Sequence, residues 1–117
     1  MEFREWLDQQ LSGNIPESVI AFNFNLYEGE TENEYQVQLI GCVNYDPDDD
    51  DWACDTAYSS GEDLYIFSSG DWEEALQTLI ATVKDYLNTC EMPNRLKQAE
   101  LVAAGFVDGD LEIISQK

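Results

Sequence analysis

Ile20-Ala21-Phe22-Asn23-Phe24-Asn25-Leu26-Tyr27 and Tyr35-Gln36-Val37-Gln38-Leu39-Ile40-Gly41-Cys42-Val43-Asn44-Tyr45, separated by Glu28-Gly29-Glu30-Thr31-Glu32-Asn33-Glu34, decide the fold. In the first run Ile20, Phe22, Phe24 and Leu26 alternate with Ala21, Asn23, Asn25 and Tyr27, and a period of two predicts a half-buried strand. Tyr35, Val37, Leu39, Gly41, Val43 and Tyr45 resume that alternation beyond the polar break, so the pair predicts a long antiparallel hairpin. Gln36 and Gln38 should face water near the turn. Ile40 and Cys42 continue the same face, which predicts a cover further along.

The flanking segments follow from this hairpin. Upstream, Phe3, Trp6, Leu7 and Leu11 have helical spacing, and Gly13 and Pro16 stop the helix. Downstream, Pro47 and the surrounding aspartates make a loop. Trp52 to Tyr58 reads as a third strand, Ser59-Ser60-Gly61-Glu62 as a turn, and Leu64-Tyr65-Ile66-Phe67 as a fourth. Asp71 then suits an N-cap, with Glu74 three residues on. Trp72, Ala75, Leu76, Leu79, Ile80, Val83, Tyr86, Leu87 and Cys90 form one apolar stripe that places Trp72, like Trp6, in the core. Pro93 ends that helix. Asn94 is expected to cap another running to about Ala104 and closed by Gly105. Leu111 to Ile114 adds a last strand after the Asp108-Gly109 turn.

The expected order is α-β-β-β-β-α-α-β, in one α+β domain spanning residues 1–117. Successive strands without intervening helices predict an antiparallel sheet of about four to five strands, with the helices on one face.

Composition sets the functional limits. With 44% hydrophobic residues the 117-residue chain holds a core without metals or disulfides, so its charge belongs on the surface of a folded body. Asp and Glu number 25 against 5 Lys and Arg, a net charge of −20. Such a field repels nucleic acid and anionic membranes and attracts cationic surfaces; acidity also serves solubility. Cys42, Cys54 and Cys90 are odd in number and form no CxxC pair, which fits a reducing cytosol. The charged start, Met1-Glu2-Phe3-Arg4-Glu5-Trp6, is expected not to be a signal peptide. No stretch reaches the roughly 20 apolar residues that span a bilayer.

Chemistry has few footholds. The absence of histidine removes the commonest general base and metal ligand, and leaves the cysteines without an activating base. Cys42 and Cys90 read as small core residues. Nothing resembles a phosphate loop or dinucleotide fingerprint. No catalytic residue, cofactor or metal site is therefore assigned. Asp46, Asp48, Asp49, Asp50, Asp51 and Asp55 crowd one loop. Asp46, Asp48 and Asp50 match positions one, three and five of a calcium-binding EF-hand loop, but Asp51 replaces the required glycine and Ala57 the closing glutamate. The alternatives are a contact loop for a basic partner and a plain solvated loop. Glu28, Glu30, Glu32 and Glu34 would decorate the hairpin tip as a second acidic group. Asp71, Glu73 and Glu74 are credited first to capping the helix dipole. Tyr45 and Trp52 flank the Asp run and could anchor an interface, whose energy concentrates in Trp, Tyr and Arg. They could equally be strand residues.

With its size, its lack of histidine and metal motifs, Asp46 to Asp55 with Trp52 among them, and the Glu28 to Glu34 turn, the chain resembles the small acidic immunity proteins of bacterial polymorphic and contact-dependent toxin systems. The resemblance implies a cytoplasmic, non-catalytic protein that binds one toxin domain, often by masking the basic site of a nuclease. The implied partner is a basic protein, and the implied contacts are Tyr45, Asp46, Asp48, Asp49, Asp50, Asp51, Trp52, Asp55, Glu28, Glu30, Glu32 and Glu34. Acidic DNA-mimic proteins share the same physics. A regulatory interaction domain and a calcium-responsive module are the other readings.

Overall fold

The computed structural model describes residues 3–12, 15–31, 33–44, 56–59, 64–89, 96, 99–106 and 112–116. Its elements are α1 (Phe3–Leu11), β1 (Ala21–Glu28), β2 (Glu34–Cys42), β3 (Thr56–Ser59), β4 (Tyr65–Ser68), α2 (Trp72–Thr89), β5 (Leu101–Phe106) and β6 (Glu112–Gln116). The class is α+β, with six strands in a mixed sheet.

β1 and β2 form the expected hairpin, in register from Ala21 opposite Cys42 to Glu28 opposite Tyr35. The sheet order is β3-β2-β1-β5-β6, and β4 also pairs with β2. The two short strands thus share one margin of β2: β3 lies beside Ile40–Cys42 and β4 beside Glu34–Val37.

Two expectations are corrected here. The sheet is not wholly antiparallel, because β5 runs parallel to β1. Parallel strands need a long crossover, and the chain from β2 through α2 supplies it. Residues 101–106 are strand where a helix closed by Gly105 was expected. Leu101, Val102, Ala103 and Ala104 are each buried to within 1% of completely. A central strand covered on both faces reads as a continuous apolar run and loses the period-two signature. Packing on both sides here outweighs the helical propensity of the two alanines.

Both helices cover one sheet face. Phe3, Trp6 and Leu7 of α1 and Ala75, Leu79, Ile80 and Val83 of α2 join Phe22, Phe24, Leu26, Val37, Leu39, Val102 and Ala104 in the main core. Completely buried side chains such as Leu7, Phe22 and Phe24 contribute about 1.5–3 kcal/mol each. α1 is also tied to the end of α2. The Tyr86 hydroxyl donates to Asp8 Oδ1 at 2.6 Å, and the Arg4 guanidinium stands 5.2 Å over the Tyr86 ring and donates to Thr89 Oγ1.

On the opposite face Ala21, Ile40, Cys42, Leu101 and Ala103 make a second buried cluster, so the face that is half-exposed at Gln36 and Gln38 becomes covered at Ile40 and Cys42, as the hairpin pattern predicts. Asn23 sits among them, paired with Ile40 and Ala103 and completely buried. Its Nδ2 donates to Asn25 Oδ1 at 2.6 Å, but its own Oδ1 is buried without a hydrogen-bond donor among the described residues.

Candidate functional site

The hairpin tip is a tightly organised turn. Gly29 N–H donates to Glu34 O at 2.7 Å, and Glu34 N–H to Thr31 O at 3.2 Å. Asn33 takes a positive φ of 67°, a backbone state that Asn tolerates better than most residues. Glu34 Oε2 accepts from the backbone N–H groups of Glu30 (3.1 Å) and Thr31 (3.3 Å) and from the Thr31 hydroxyl (3.3 Å). A Cβ on Gly29 would lie 2.7 Å from the Glu34 side chain, so only glycine leaves room for this carboxylate. Glu34 is thus a structural acceptor inside the turn. Glu28 and Glu30 stand exposed beside it, and a hollow of ≈ 360 Å³ lies between them and Tyr35.

This tip meets the start of α2. Ser69 N–H donates to Asn33 O at 3.0 Å, and the Tyr35 hydroxyl donates to Gly70 O at 3.1 Å. Asp71 Oδ1 accepts from Glu74 N–H at 2.9 Å, the expected N-cap. The Tyr35 phenol reports the resulting field. Burial raises its pKa above the ordinary value, and the nearby charges of Glu28, Asp71 and Glu74 raise it further. Two acidic groups that are distant in sequence, the hairpin tip and the start of α2, therefore converge around one buried tyrosine.

Trp72 lies in that face, 53% exposed, which corrects its expected place in the core; Trp6 is buried as expected, at 1%. As the first residue of α2, before a full turn has formed, Trp72 can leave the stripe that continues with Ala75 and Leu76. Its ring meets Phe106 edge-on at 6.2 Å. Phe106 touches Tyr35, Tyr35 touches Phe67, Phe67 stacks on Tyr65, and Tyr65 meets Phe3 and Trp6, with successive centroids 5.1–6.3 Å apart. The exposed indole therefore caps a column of packed rings that reaches α1. Pairs at these distances are individually favourable, and the column backs one side of the indole.

No protein-family model, curated protein or solved structure matches the chain.

Of the expected contact residues, Glu28, Glu30 and Glu34 lie at the tip. Tyr45, Asp46, Asp48, Asp49, Asp50, Asp51, Trp52 and Asp55, with Glu32, fall outside the described residues. Asp71, Glu73 and Glu74, all exposed, surround Trp72 in sequence and make a larger acidic face than the capping role implied. Arg4 and Lys84 are the only cations among the described residues. Arg4 is held at the far end of α2, and Lys84 lies about 18 Å along that helix from Trp72 at 1.5 Å per residue. No nearby cation among the described residues neutralises the face, and its field extends into solvent. No group of three or more His, Cys, Asp or Glu among the described residues is arranged to hold a metal ion. No helix among them is long and apolar enough to cross a membrane.

Proposed function

We propose that this chain is a non-catalytic acidic binding protein that neutralises a basic protein partner. The partner we propose is a toxin of nuclease type, occluded as immunity proteins occlude theirs. The observation that carries the reading is the convergence of Glu28, Asp71 and Glu74 around Tyr35, with exposed Trp72 next to Asp71 in the chain. An interface needs an apolar anchor inside a polar rim, and Trp is the residue most enriched among such anchors. A nuclease needs a basic cleft to hold phosphates, and carboxylates on a preformed turn would fill that cleft without large ordering costs. Long-range attraction would speed encounter, while Trp72 would slow release. The Asp46 to Asp55 run adds to the negative charge of the same chain.

The test is affinity capture from the native cell, followed by titration of the purified partner at low and high salt with its activity assayed in parallel. The reading expects a basic partner whose activity is blocked and whose affinity falls steeply with salt. Affinity unchanged across the salt series would sink the electrostatic mechanism.

A further inference from the structure

β4 offers an unpaired strand margin beside the acidic face. Among the described residues Tyr65–Ser68 pairs with β2 alone, Tyr65 opposite Val37 through Ser68 opposite Glu34. No turn, cap or loop backbone bond among them reaches these four positions. The outward N–H and C=O groups of such a margin are a template for another strand, and proteins usually blunt it with lysine, proline or an inward charge. Tyr65-Ile66-Phe67-Ser68 carries none of these. Tyr65 and Phe67 are held by the ring column, while Ile66 projects on the opposite face, 55% exposed. Among the described residues β6 leaves the other margin of the sheet open, but it carries Glu112, a charge that blunts such an edge.

We infer that the β4 margin takes up an extended, lysine- or arginine-bearing strand of the basic partner, so that recognition adds a strand to the sheet. This rests on the acidic face being the partner surface. The occupant follows from charge. β4 runs through Ser69 and Gly70 directly into Asp71, Trp72, Glu73 and Glu74, and its last residue pairs with Glu34. An added strand must pass these carboxylates, which favours a cationic segment. A second copy of the chain would bring −20 against −20 at a distance where like charges repel. Main-chain bonds would supply affinity and Ile66 a side-chain contact, the usual division in strand addition.

The experiment uses the full chain and an eight-residue synthetic peptide that alternates lysine or threonine with valine, together with a twin N-methylated at alternate residues. N-methylation keeps the charge and removes strand hydrogen bonds. The unmodified peptide is expected to bind and to slow hydrogen exchange within Tyr65–Ser68. The twin is expected to bind at least roughly tenfold more weakly, through the loss of two or more hydrogen bonds. Ile66→Lys, at an exposed position that folding tolerates, is expected to weaken the unmodified peptide by like charge. Equal binding of both peptides with steep salt dependence would overturn strand addition and leave the acidic-face reading standing. Absence of binding by either, unchanged exchange at Tyr65–Ser68, or a dimer of this chain that protects those amides would also overturn it.

Discussion

Replacing Asn23 with leucine is expected to stabilise the protein. Asn23 is completely buried between Ile40 and Ala103 with its Oδ1 lacking a donor among the described residues, a penalty of about 1–3 kcal/mol. Leucine has the same branching at Cγ and removes that oxygen. The substitution also removes the bond to Asn25 Oδ1, worth about 0.5–1.5 kcal/mol. Asn25 is half-exposed, so water can replace that donor. Apolar burial adds about 1 kcal/mol in return. The net gain is about 1–3 kcal/mol. With a urea slope of about 1–3 kcal/mol per molar for a small domain, the unfolding midpoint should rise by about 1 M with the slope unchanged. Asn23→Asp tests the same site in the other direction: a buried carboxylate without a cation should lower the midpoint at neutral pH and recover partly in acid. A lower midpoint for Asn23→Leu at constant slope would show that the amide oxygen is satisfied, and the reasoning would fail.

The remaining expectations concern the face and its supports. Trp72→Ala should leave the chain folded and weaken the captured partner. Covering the exposed 53% of a side chain that buries roughly 150–250 Å² amounts to about 100 Å², or about 2.5 kcal/mol and about seventyfold in Kd; an unchanged Kd removes Trp72 as an anchor. The Tyr35 phenol, held above its ordinary 10.0 by burial and then by Glu28, Asp71 and Glu74, keeps its proton more tightly when folded. The stability this gives is complete below the ordinary value and is lost as pH rises through the raised native one. Urea unfolding across an alkaline series should therefore show a steeper decline for the wild type than for Tyr35→Phe. Gly29→Ala forces Glu34 out of the turn and should cost about 1–2 kcal/mol, with faster exchange at the Glu30 and Thr31 amides. Tyr86→Phe removes the bond to Asp8 and should cost about 1–2 kcal/mol by urea unfolding, without changing binding at the opposite end of α2.

Much of the fold is legible where burial is one-sided. Phe22, Phe24 and Leu26 alternate because one face of β1 meets the helices. The switch from Gln36 and Gln38 to Ile40 and Cys42 records where the other face becomes covered. α2 shows itself through its stripe and Asp71. β5 does not, because burial on both faces erases alternation and small residues suit a helix equally well. Its parallel pairing has no local signature either, since the partner strand lies far away in the chain. At the candidate site the glutamates are visible as a run, but the sequence does not separate Glu34, locked into its turn by three donors, from Glu28 and Glu30, exposed beside it. The union of the tip with Asp71 and Glu74 depends on β4 lying along β2 and so cannot be read from spacing. Trp72 matches the helical stripe by position, and only its place at the very first residue of α2 hints at exposure.

The parallel pairing of β1 with β5 also dictates when the sheet can be completed. Ala21 and Leu101 are partners about eighty positions apart, and contacts of such long range slow folding. During synthesis the hairpin and α2 emerge well before residues 101–106. Until those residues arrive, β1 presents an open margin running past Phe22 and Phe24. A chain cut or stalled just beyond α2 would keep that margin available to any neighbouring strand. Residues 101–106 act as the wedge that seals the middle of the sheet.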